Sequence, residues 1–258
     1  MPMSKHKNIY NSLVEAKLNG DKLLSVLIDP DKIRLGQLDR VIHSSIESGI
    51  DYFLIGGSLI IHDMLDYCLD ILSKSSDIPL ILFPGNALQI NQKADAILLL
   101  SLISGRNPDL LIGHHVIAAP KLKESDLEII PTGYVLIDGG IETTTTYISN
   151  TRPIPADKPE ITACTAMAGE MLGLKLIYLE AGSGAKYHVN EQTIRAVKDS
   201  IDIPIVVGGG IRNPIVAKNV LQAGADMIVM GNATETNPDV IREIASIIRN
   251  KEFSPDRI

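Results

Sequence analysis

The chain has 258 residues, of which 45% are hydrophobic and 21% charged, as is typical of a soluble globular protein. Its net charge of −7, without a run of basic residues, argues against duplex nucleic acid as the main partner, because that affinity depends on clustered cations. The longest apolar runs fall short of the roughly 20 residues that a membrane-spanning helix needs. The two cysteines, Cys68 and Cys164, form no metal-binding pair, so we expect reduced thiols in a cytoplasmic protein.

Short runs rich in Val, Ile and Leu recur along the whole chain. Most of them are continuously apolar rather than alternating, as strands buried on both faces of a parallel sheet are. The predicted strands are Leu23–Asp29, Tyr52–Gly57, Pro79–Gly85, Ala96–Leu100, Gly133–Asp138, Leu176–Ser183, Pro204–Gly210 and Met227–Gly231.

Stretches with helical spacing separate these strands. Leu38–Ser48 places its apolar residues on one face. Pro214–Ala223 begins with a proline in its first turn and ends before a glycine, and Pro238–Ile248 follows Asn237, a predicted N-cap. Strand and helix thus alternate about eight times, which at this length favours a closed (β/α)8 barrel over an open doubly wound sheet.

Two segments fall outside this alternation. In a single barrel domain spanning residues 1–258, residues 1–20 would form an extra helix that covers the barrel floor. Residues 139–159 follow the fifth strand and are too rich in Thr, Pro and Gly for a helix. We therefore expect a functional loop there.

Glycine clusters follow several of the predicted strands. In (β/α)8 barrels the chemistry lies at the carboxyl ends of the strands, and glycine lets backbone N–H groups approach an anion closely. Gly208–Gly210 and Gly231–Asn232, after the last two strands, lie where such barrels commonly hold a phosphate. The alternative is that these glycines only make tight turns. The pattern favours a phosphate-binding carboxyl rim.

Polar side chains follow the first two strands. Asp29 ends strand one and Ser58 follows strand two, so a closed barrel would place them side by side on the rim. A carboxylate with a hydroxyl suits Mg²⁺, which keeps several waters and takes further ligands from substrate phosphates. The alternative for Asp29 is a turn residue before Pro30, a common role of aspartate.

Glu180 lies in the strand-to-loop segment Tyr178–Gly184, where its neighbours are apolar or small. An acid at a barrel rim can act as a general base or bind substrate hydroxyls. A buried ion pair with an arginine or lysine is the structural alternative, and the sequence leaves both open. Ser183 and the glycines beside it would offer donors to a phosphate.

The strand-end motifs occur together in an order that resembles one family. They are Asp29–Lys32 (DPDK), Gly56–Ser58 (GGS), Pro84–Asn86 (PGN), Tyr178–Gly184 (YLEAGSG), Gly208–Arg212 (GGGIR) and Gly231–Asn232 (GN). From about Leu23 to Ile248 the chain is similar to the geranylgeranylglyceryl phosphate synthases, and YLEAGSG is the most specific of these motifs.

The resemblance implies a prenyltransferase that joins sn-glycerol 1-phosphate to geranylgeranyl diphosphate or a similar polyprenyl diphosphate. The products would be diphosphate and an ether lipid precursor for phospholipid biosynthesis. It also implies Mg²⁺ as cofactor, held by Asp29 and Ser58, and Glu180 as acceptor of the hydroxyl proton, with Tyr178 as a second catalytic residue. The residues implied for glycerol phosphate are Tyr178, Leu179, Glu180, Ala181, Gly182, Ser183, Gly184, Gly209, Gly210, Gly231 and Asn232.

One position departs from part of the family, which carries a lysine two residues before the first aspartate. The residue here is Leu27, which suggests the other branch of the family and argues against a cationic phosphate anchor at strand one. Members of that branch assemble as dimers or hexamers, so a homo-oligomer is expected. A prenyl tail would need an apolar trough, which Leu98–Leu102 or Ile141 could line, and transient membrane contact is a further expectation.

Two rival functions are compatible with parts of the pattern. Another phosphate-binding barrel enzyme, an isomerase or synthase of amino-acid or cofactor biosynthesis, would share the glycine clusters but would need different acids. A non-catalytic barrel that binds a phosphorylated ligand is the second rival, and the set of strand-end acids disfavours it.

Overall fold

The strands of the computed structural model form one closed parallel barrel, in which they pair in chain order and β8 closes on β1. The structure describes residues 8–31, 35–57, 64–86, 89–251 and 253. The strands are β1 (Leu23–Ile28), β2 (Tyr52–Ile55), β3 (Leu80–Leu82), β4 (Ala96–Leu102), β5 (Glu128–Leu136), β6 (Leu176–Glu180), β7 (Ile205–Gly208) and β8 (Met227–Met230).

Helices alternate with these strands along most of the chain. They are α1 (Ile9–Asn19), α2 (Leu35–Ser48), α3 (Leu65–Ser75), α4 (His114–Lys123), α5 (Thr144–Ser149), α6 (Pro159–Met171), α7 (Glu191–Lys198), α8 (Pro214–Ala223), α9 (Asn232–Thr236) and α10 (Asp239–Arg249). A π-helical segment, Asp109–Gly113, runs directly into α4. The predicted (β/α)8 barrel is confirmed, and the open doubly wound sheet is excluded.

Alternate strand residues enter two separate apolar cores, as the period of two in a strand requires. In β2, Leu54 belongs to the core inside the barrel, whereas Phe53 and Ile55 pack in the core shared with the helices. All three side chains are fully buried. Burial on both faces explains why the strand sequences are continuously apolar.

Helix α1 packs across the end of the barrel where the strands begin. Ile9 and Leu13 are buried in the interior core. Glu128, the first residue of β5, accepts the backbone N–H of Ile9 at 2.6 Å, and Lys17 Nζ lies 3.4 Å from the buried carboxylate of Asp226. The carboxyl ends of the strands therefore face the opposite end of the molecule.

The expectation that residues 139–159 contain no helix is wrong. Helix α5 lies within this segment, and Thr143 caps it because its Oγ1 accepts the backbone N–H of Thr146 at 3.3 Å. Threonine is a weak helix former inside a helix but a good N-cap. The N-cap at Thr143 thus allows the short helix α5 to form in a segment whose composition did not predict a helix.

Two predicted boundaries are also corrected. β5 begins at Glu128 rather than at Gly133. The sequence does not reveal this earlier start, because Pro131 lies inside the strand and proline usually interrupts strands. α10 begins at Asp239, one residue later than the prediction. The side chain of Asn237 still accepts the backbone N–H of Asp239, at 3.2 Å, although Asn237 is not the N-cap residue.

Candidate functional site

A cavity of about 90 Å³ lies at the carboxyl ends of the strands, and we call it the rim cavity. Loops after β1, β2, β6, β7 and β8 contribute to it, so the closed barrel brings together motifs that are far apart in sequence. The predicted site residues that line it are Asp29, Tyr178, Glu180, Gly182, Ser183, Gly184, Gly209, Gly210, Gly231 and Asn232.

Two predicted site residues are placed differently. The side chains of Leu179 and Ala181 are buried in the core shared with the helices, because they alternate with Tyr178 and Glu180 along β6 and the loop that follows it. They therefore serve packing, and only their backbone remains near the site. Ser58 lies outside the described residues.

Glu180 ends β6 with its carboxylate at the floor of the rim cavity, and its side chain is only 6% exposed. Burial raises its pKa to about 7, opposed by a hydrogen bond of 2.6 Å from the N–H of Gly182 to Oε1. No arginine or lysine in the described part of the chain forms an ion pair with this carboxylate. A carboxyl group that titrates near neutrality can take or give a proton at physiological pH.

The glycine cluster after β7 leaves room for this carboxylate. A Cβ built on Gly208 would lie 2.8 Å from Oε2 of Glu180, and one built on Gly209 would collide with Oε1. Gly209 also has φ of 81°, a backbone conformation that favours glycine. The cluster therefore has a second role beyond the predicted phosphate site.

Three aromatic rings form one wall of the rim cavity. Phe83 stacks on Tyr178 with ring centroids 5.0 Å apart, and Tyr134 lies 5.5 Å from Tyr178. Burial, together with the nearby carboxylate of Glu180, raises the pKa values of both phenols, which are thus neutral. The buried Tyr178 hydroxyl lies beside the Glu180 carboxylate, and its interaction with that carboxylate opposes the rise in the pKa of Glu180.

Hydrogen bonds between loops hold the glycine-rich turns together. Ser183 Oγ donates to Asn232 Oδ1 at 3.1 Å and joins the loops after β6 and β8. Arg212, after β7, donates to the carbonyl oxygens of Gly184 and Ala185. The sequence offered Arg212 only as part of the GGGIR motif and did not single it out as a site residue.

A second cavity, of about 400 Å³, adjoins the rim cavity and extends between β4 and α4; we call it the apolar cavity. Gly57, Phe83, Tyr134 and Thr145 line both cavities. The other apolar residues that line it include Ile90, Ile97, Leu99, Leu100, Leu102, Leu110, Ala118 and Leu122.

Part of the segment expected to line a prenyl trough does line the apolar cavity. Leu99, Leu100 and Leu102 do so from strand β4 rather than from a rim helix, whereas Leu98 and Ile141 are not among the lining residues. Ile97 lines the cavity from the same strand.

The fold and these two cavities define the class of the protein. It is a (β/α)8 barrel with a buried acid at its carboxyl rim and a neighbouring apolar cavity, the end of the barrel at which enzymes of this fold carry their active sites.

The PcrB family model matches residues 19–248. A geranylgeranylglyceryl phosphate synthase of Spirosoma linguale is 51% identical over 92% of this chain and 95% of its own length. The synthase of the same name from Methanothermobacter marburgensis is 39% identical over 88% of this chain and 92% of its own length. The chain therefore belongs to the PcrB family, and it is a prenyltransferase, which confirms the resemblance and excludes a non-catalytic barrel.

Solved structures agree with this assignment. The (S)-3-O-geranylgeranylglyceryl phosphate synthase of Thermoplasma acidophilum, in complex with sn-glycerol-1-phosphate, is 34% identical and covers 95% of this chain and 100% of its own, with a TM-score of 0.89. The tryptophan synthase alpha subunit of Legionella pneumophila shares the fold alone: it is 16% identical and covers 95% of this chain and 100% of its own, with a TM-score of 0.57.

Among the helices that the structure describes, none has the length and apolar character to cross a membrane.

Replacing Glu180 by glutamine should stabilise the protein at high pH. The folded pKa of about 7 lies above the ordinary value of 4.5, so the folded state binds the proton more tightly and wild-type stability falls as pH rises from about 4.5 to about 7. As the pH rises from 4 to 8, the free energy of unfolding of Glu180→Gln should therefore increase by about 3 kcal/mol relative to that of the wild type. Denaturant unfolding at several pH values measures this difference.

Glu191→Gln is the control of opposite sign. Burial raises the pKa of Glu191, but hydrogen bonds from its own backbone N–H and from His188 outweigh burial, so that the pKa is lowered. The carboxylate of Glu191 thus stabilises the fold at high pH, and its glutamine variant should lose stability relative to the wild type as pH rises. A pH-independent difference for Glu180→Gln would contradict the raised pKa.

Proposed function

We propose that this enzyme transfers a polyprenyl group from geranylgeranyl diphosphate, or a polyprenyl diphosphate of similar length, to a hydroxyl of sn-glycerol 1-phosphate. The observation that carries the proposal is the junction between the rim cavity and the apolar cavity at Phe83 and Tyr134. One cavity suits a phosphorylated polar molecule and the other a hydrocarbon chain. The relative from Thermoplasma acidophilum, bound to sn-glycerol-1-phosphate, supports the acceptor.

The glycerol phosphate would lie against the turns at Gly182–Gly184, Gly209–Gly210 and Gly231–Asn232. Four of these glycines have positive φ, between 72° and 100°, a conformation that lets backbone N–H groups line a concave anion site; the N–H of Gly182 itself donates to Glu180. Such a surface binds a phosphate without a lysine or arginine. This agrees with Leu27, which lines the rim cavity where a cationic side chain would otherwise stand.

The polyprenyl chain would occupy the apolar cavity. The apolar walls of this cavity, which has a volume of about 400 Å³, would remove the hydrocarbon surface of the chain from water. Phe83 and Tyr134 would then lie beside the allylic carbon that carries the diphosphate. Their ring faces attract positive charge and exclude water from that carbon.

Glu180 would act as the general base. In the reaction the allylic carbon–oxygen bond to diphosphate breaks, and diphosphate leaves with the electron pair. The glycerol hydroxyl oxygen forms the ether bond to the same carbon, and its proton passes to Glu180. With a pKa of about 7 the carboxylate is ionised in a large part of the molecules near neutrality, and it holds a proton more firmly than an exposed acid would. The Tyr178 hydroxyl would help to orient the acceptor.

Asp29 fits a site for Mg²⁺, the proposed cofactor. Its carboxylate lines the rim cavity and lies against Gly57, where a built Cβ would be 2.8 Å from Oδ1. Oδ1 also accepts the backbone N–H of Asp31 at 3.2 Å. Asp29 is therefore also a turn residue, as the alternative interpretation of the sequence expected. Ser58, the other proposed ligand, lies outside the described residues.

The sparse set of protein ligands itself agrees with magnesium. Among the described residues, no group of three or more His, Cys, Asp and Glu side chains could hold a metal. Mg²⁺ commonly keeps several waters and takes one or two carboxylates together with substrate phosphates. When bound, it would neutralise charge on the leaving diphosphate.

Three broader expectations belong to the same proposal: a role in lipid biosynthesis, a cytoplasmic homo-oligomer, dimeric or hexameric, and transient contact with membranes. Exposed apolar side chains beside the apolar cavity, Ile112, Val116 and Ile148, support a contact with either a membrane or a second copy of the chain.

A product assay tests the function directly. With Mg²⁺, the enzyme should release diphosphate and form a prenyl ether from geranylgeranyl diphosphate only when sn-glycerol 1-phosphate is present, as measured by mass spectrometry. Glu180→Gln should lower turnover by roughly 10² to 10⁴, the usual contribution of a general base. Equal turnover with the sn-3 enantiomer, or none with either, would count against the proposal.

Asp29→Asn should lower turnover by at least about a hundredfold at saturating Mg²⁺ while leaving the melting temperature unchanged, because the amide keeps the shape but loses the charge that attracts the ion. Chelation of divalent cations should abolish wild-type turnover. The control is Asp66→Asn, which alters an exposed carboxylate that pairs with Lys93 on the surface. Near-normal turnover of Asp29→Asn would remove Asp29 from the metal site.

A further inference from the structure

Arg212 follows the glycine cluster of β7 and lines the rim cavity, but it has no part in the chemistry described above. Among the described residues that line this cavity, it is the one with a positive charge. Such a side chain can act on a phosphate directly, through its charge, or indirectly, through the backbone that binds the phosphate. Its hydrogen bonds distinguish between these two roles.

The guanidinium of Arg212 bonds the loop that follows β6. Its Nη2 donates to the carbonyl oxygen of Gly184 at 3.3 Å and also to that of Ala185. Guanidinium is a planar group with several fixed donors, whereas the ammonium of lysine is a point charge on a flexible chain. Arg212 thus connects the loop after β7 to two successive peptide groups of the neighbouring loop.

These two peptide groups end the turn Gly182–Ala185. The backbone N–H of Ala185 donates to the carbonyl of Gly182 at 3.1 Å and closes the turn. The peptide between Gly184 and Ala185 is therefore held on both sides, its N–H by Gly182 and its carbonyl by Arg212. The turn contains two glycines with positive φ, and without such restraints it would lose more conformational entropy on binding a ligand.

The other side of the turn is held from β8. Ser183 Oγ donates to Asn232 Oδ1 at 3.1 Å, so the same turn is fixed between the loops after β7 and β8. All three loops belong to the surface on which the phosphate is proposed to bind. A change in the orientation of this turn would therefore alter phosphate binding without altering the apolar cavity.

We propose that Arg212 is a positioning residue for glycerol phosphate, an inference that rests on the function proposed above. Through the carbonyl groups of Gly184 and Ala185 it fixes the turn so that backbone N–H groups face the phosphate. The effect depends on the reach of the planar guanidinium, whose Nη2 bonds both carbonyl oxygens, and positive charge alone does not reproduce it.

Arg212→Lys and Arg212→Ala test this role. Both variants lose the contact with two carbonyls, so both should raise KM for sn-glycerol 1-phosphate about tenfold while KM for the polyprenyl diphosphate stays within about twofold of the wild type. Their melting temperatures should not change, since Arg212 is exposed. Arg242→Lys, which alters an exposed arginine paired with Glu47, is the matched control and should change neither KM.

A wild-type KM in Arg212→Lys, with a rise only in Arg212→Ala, would show that charge suffices and would overturn the positioning role. Equal rises in KM for both substrates would overturn it too, because the effect would then not be confined to the turn. Calorimetric titration with inorganic phosphate gives a readout that needs no turnover, and the affinity should fall about tenfold in both variants.

This second measurement separates the two proposals. A wild-type protein that binds phosphate but does not use sn-glycerol 1-phosphate would refute the proposed function, while the phosphate affinities of the variants would still test Arg212. Unchanged phosphate affinity in both variants would refute the positioning role whatever the turnover. A wild-type protein that binds no phosphate would overturn both.

Discussion

The buried carboxylate of Glu180 is the constraint on which the arrangement of the site depends. The side chain stands at the end of β6, inside the barrel, where ionisation is costly and its pKa rises to about 7. The neighbouring strand must end in glycine, because a side chain there would collide with the Glu180 carboxylate. The parallel register places Gly208 of β7 opposite Glu180. The same glycines that admit the carboxylate begin the turn proposed to bind phosphate, so one feature of the sequence serves both groups.

The buried carboxylate of Glu180 lowers the stability of the folded protein near neutral pH. A carboxylate that is half ionised near neutrality, yet has no cationic partner among the described residues, destabilises the folded state at the pH where the proposed general base would work. The large core inside and around the barrel compensates for this, since most strand residues are buried. The aromatic wall of Phe83, Tyr134 and Tyr178 adds apolar contact and keeps water from the carboxylate.

The fold and the main site motifs could be predicted because each is a local pattern. Continuously apolar strands indicate a parallel barrel, and contiguous glycines at strand ends indicate a phosphate site. The period of two along β6 could also have shown that Leu179 points away from the cavity while Glu180 points into it. The contact of Phe83 with Tyr178, and that of Arg212 with Gly184, join residues from different strands, and no pattern within one segment reveals such contacts.

The most direct test of the account is a titration of Glu180 itself, by carbon NMR of the carboxyl group in protein labelled at glutamate, with Glu180→Gln to assign the signal. We expect an apparent pKa of about 7 in the free enzyme. Binding of sn-glycerol 1-phosphate should change this value, because the hydroxyl would then contact the carboxylate. A pKa near the ordinary 4.5, with or without glycerol phosphate, would contradict the central claim.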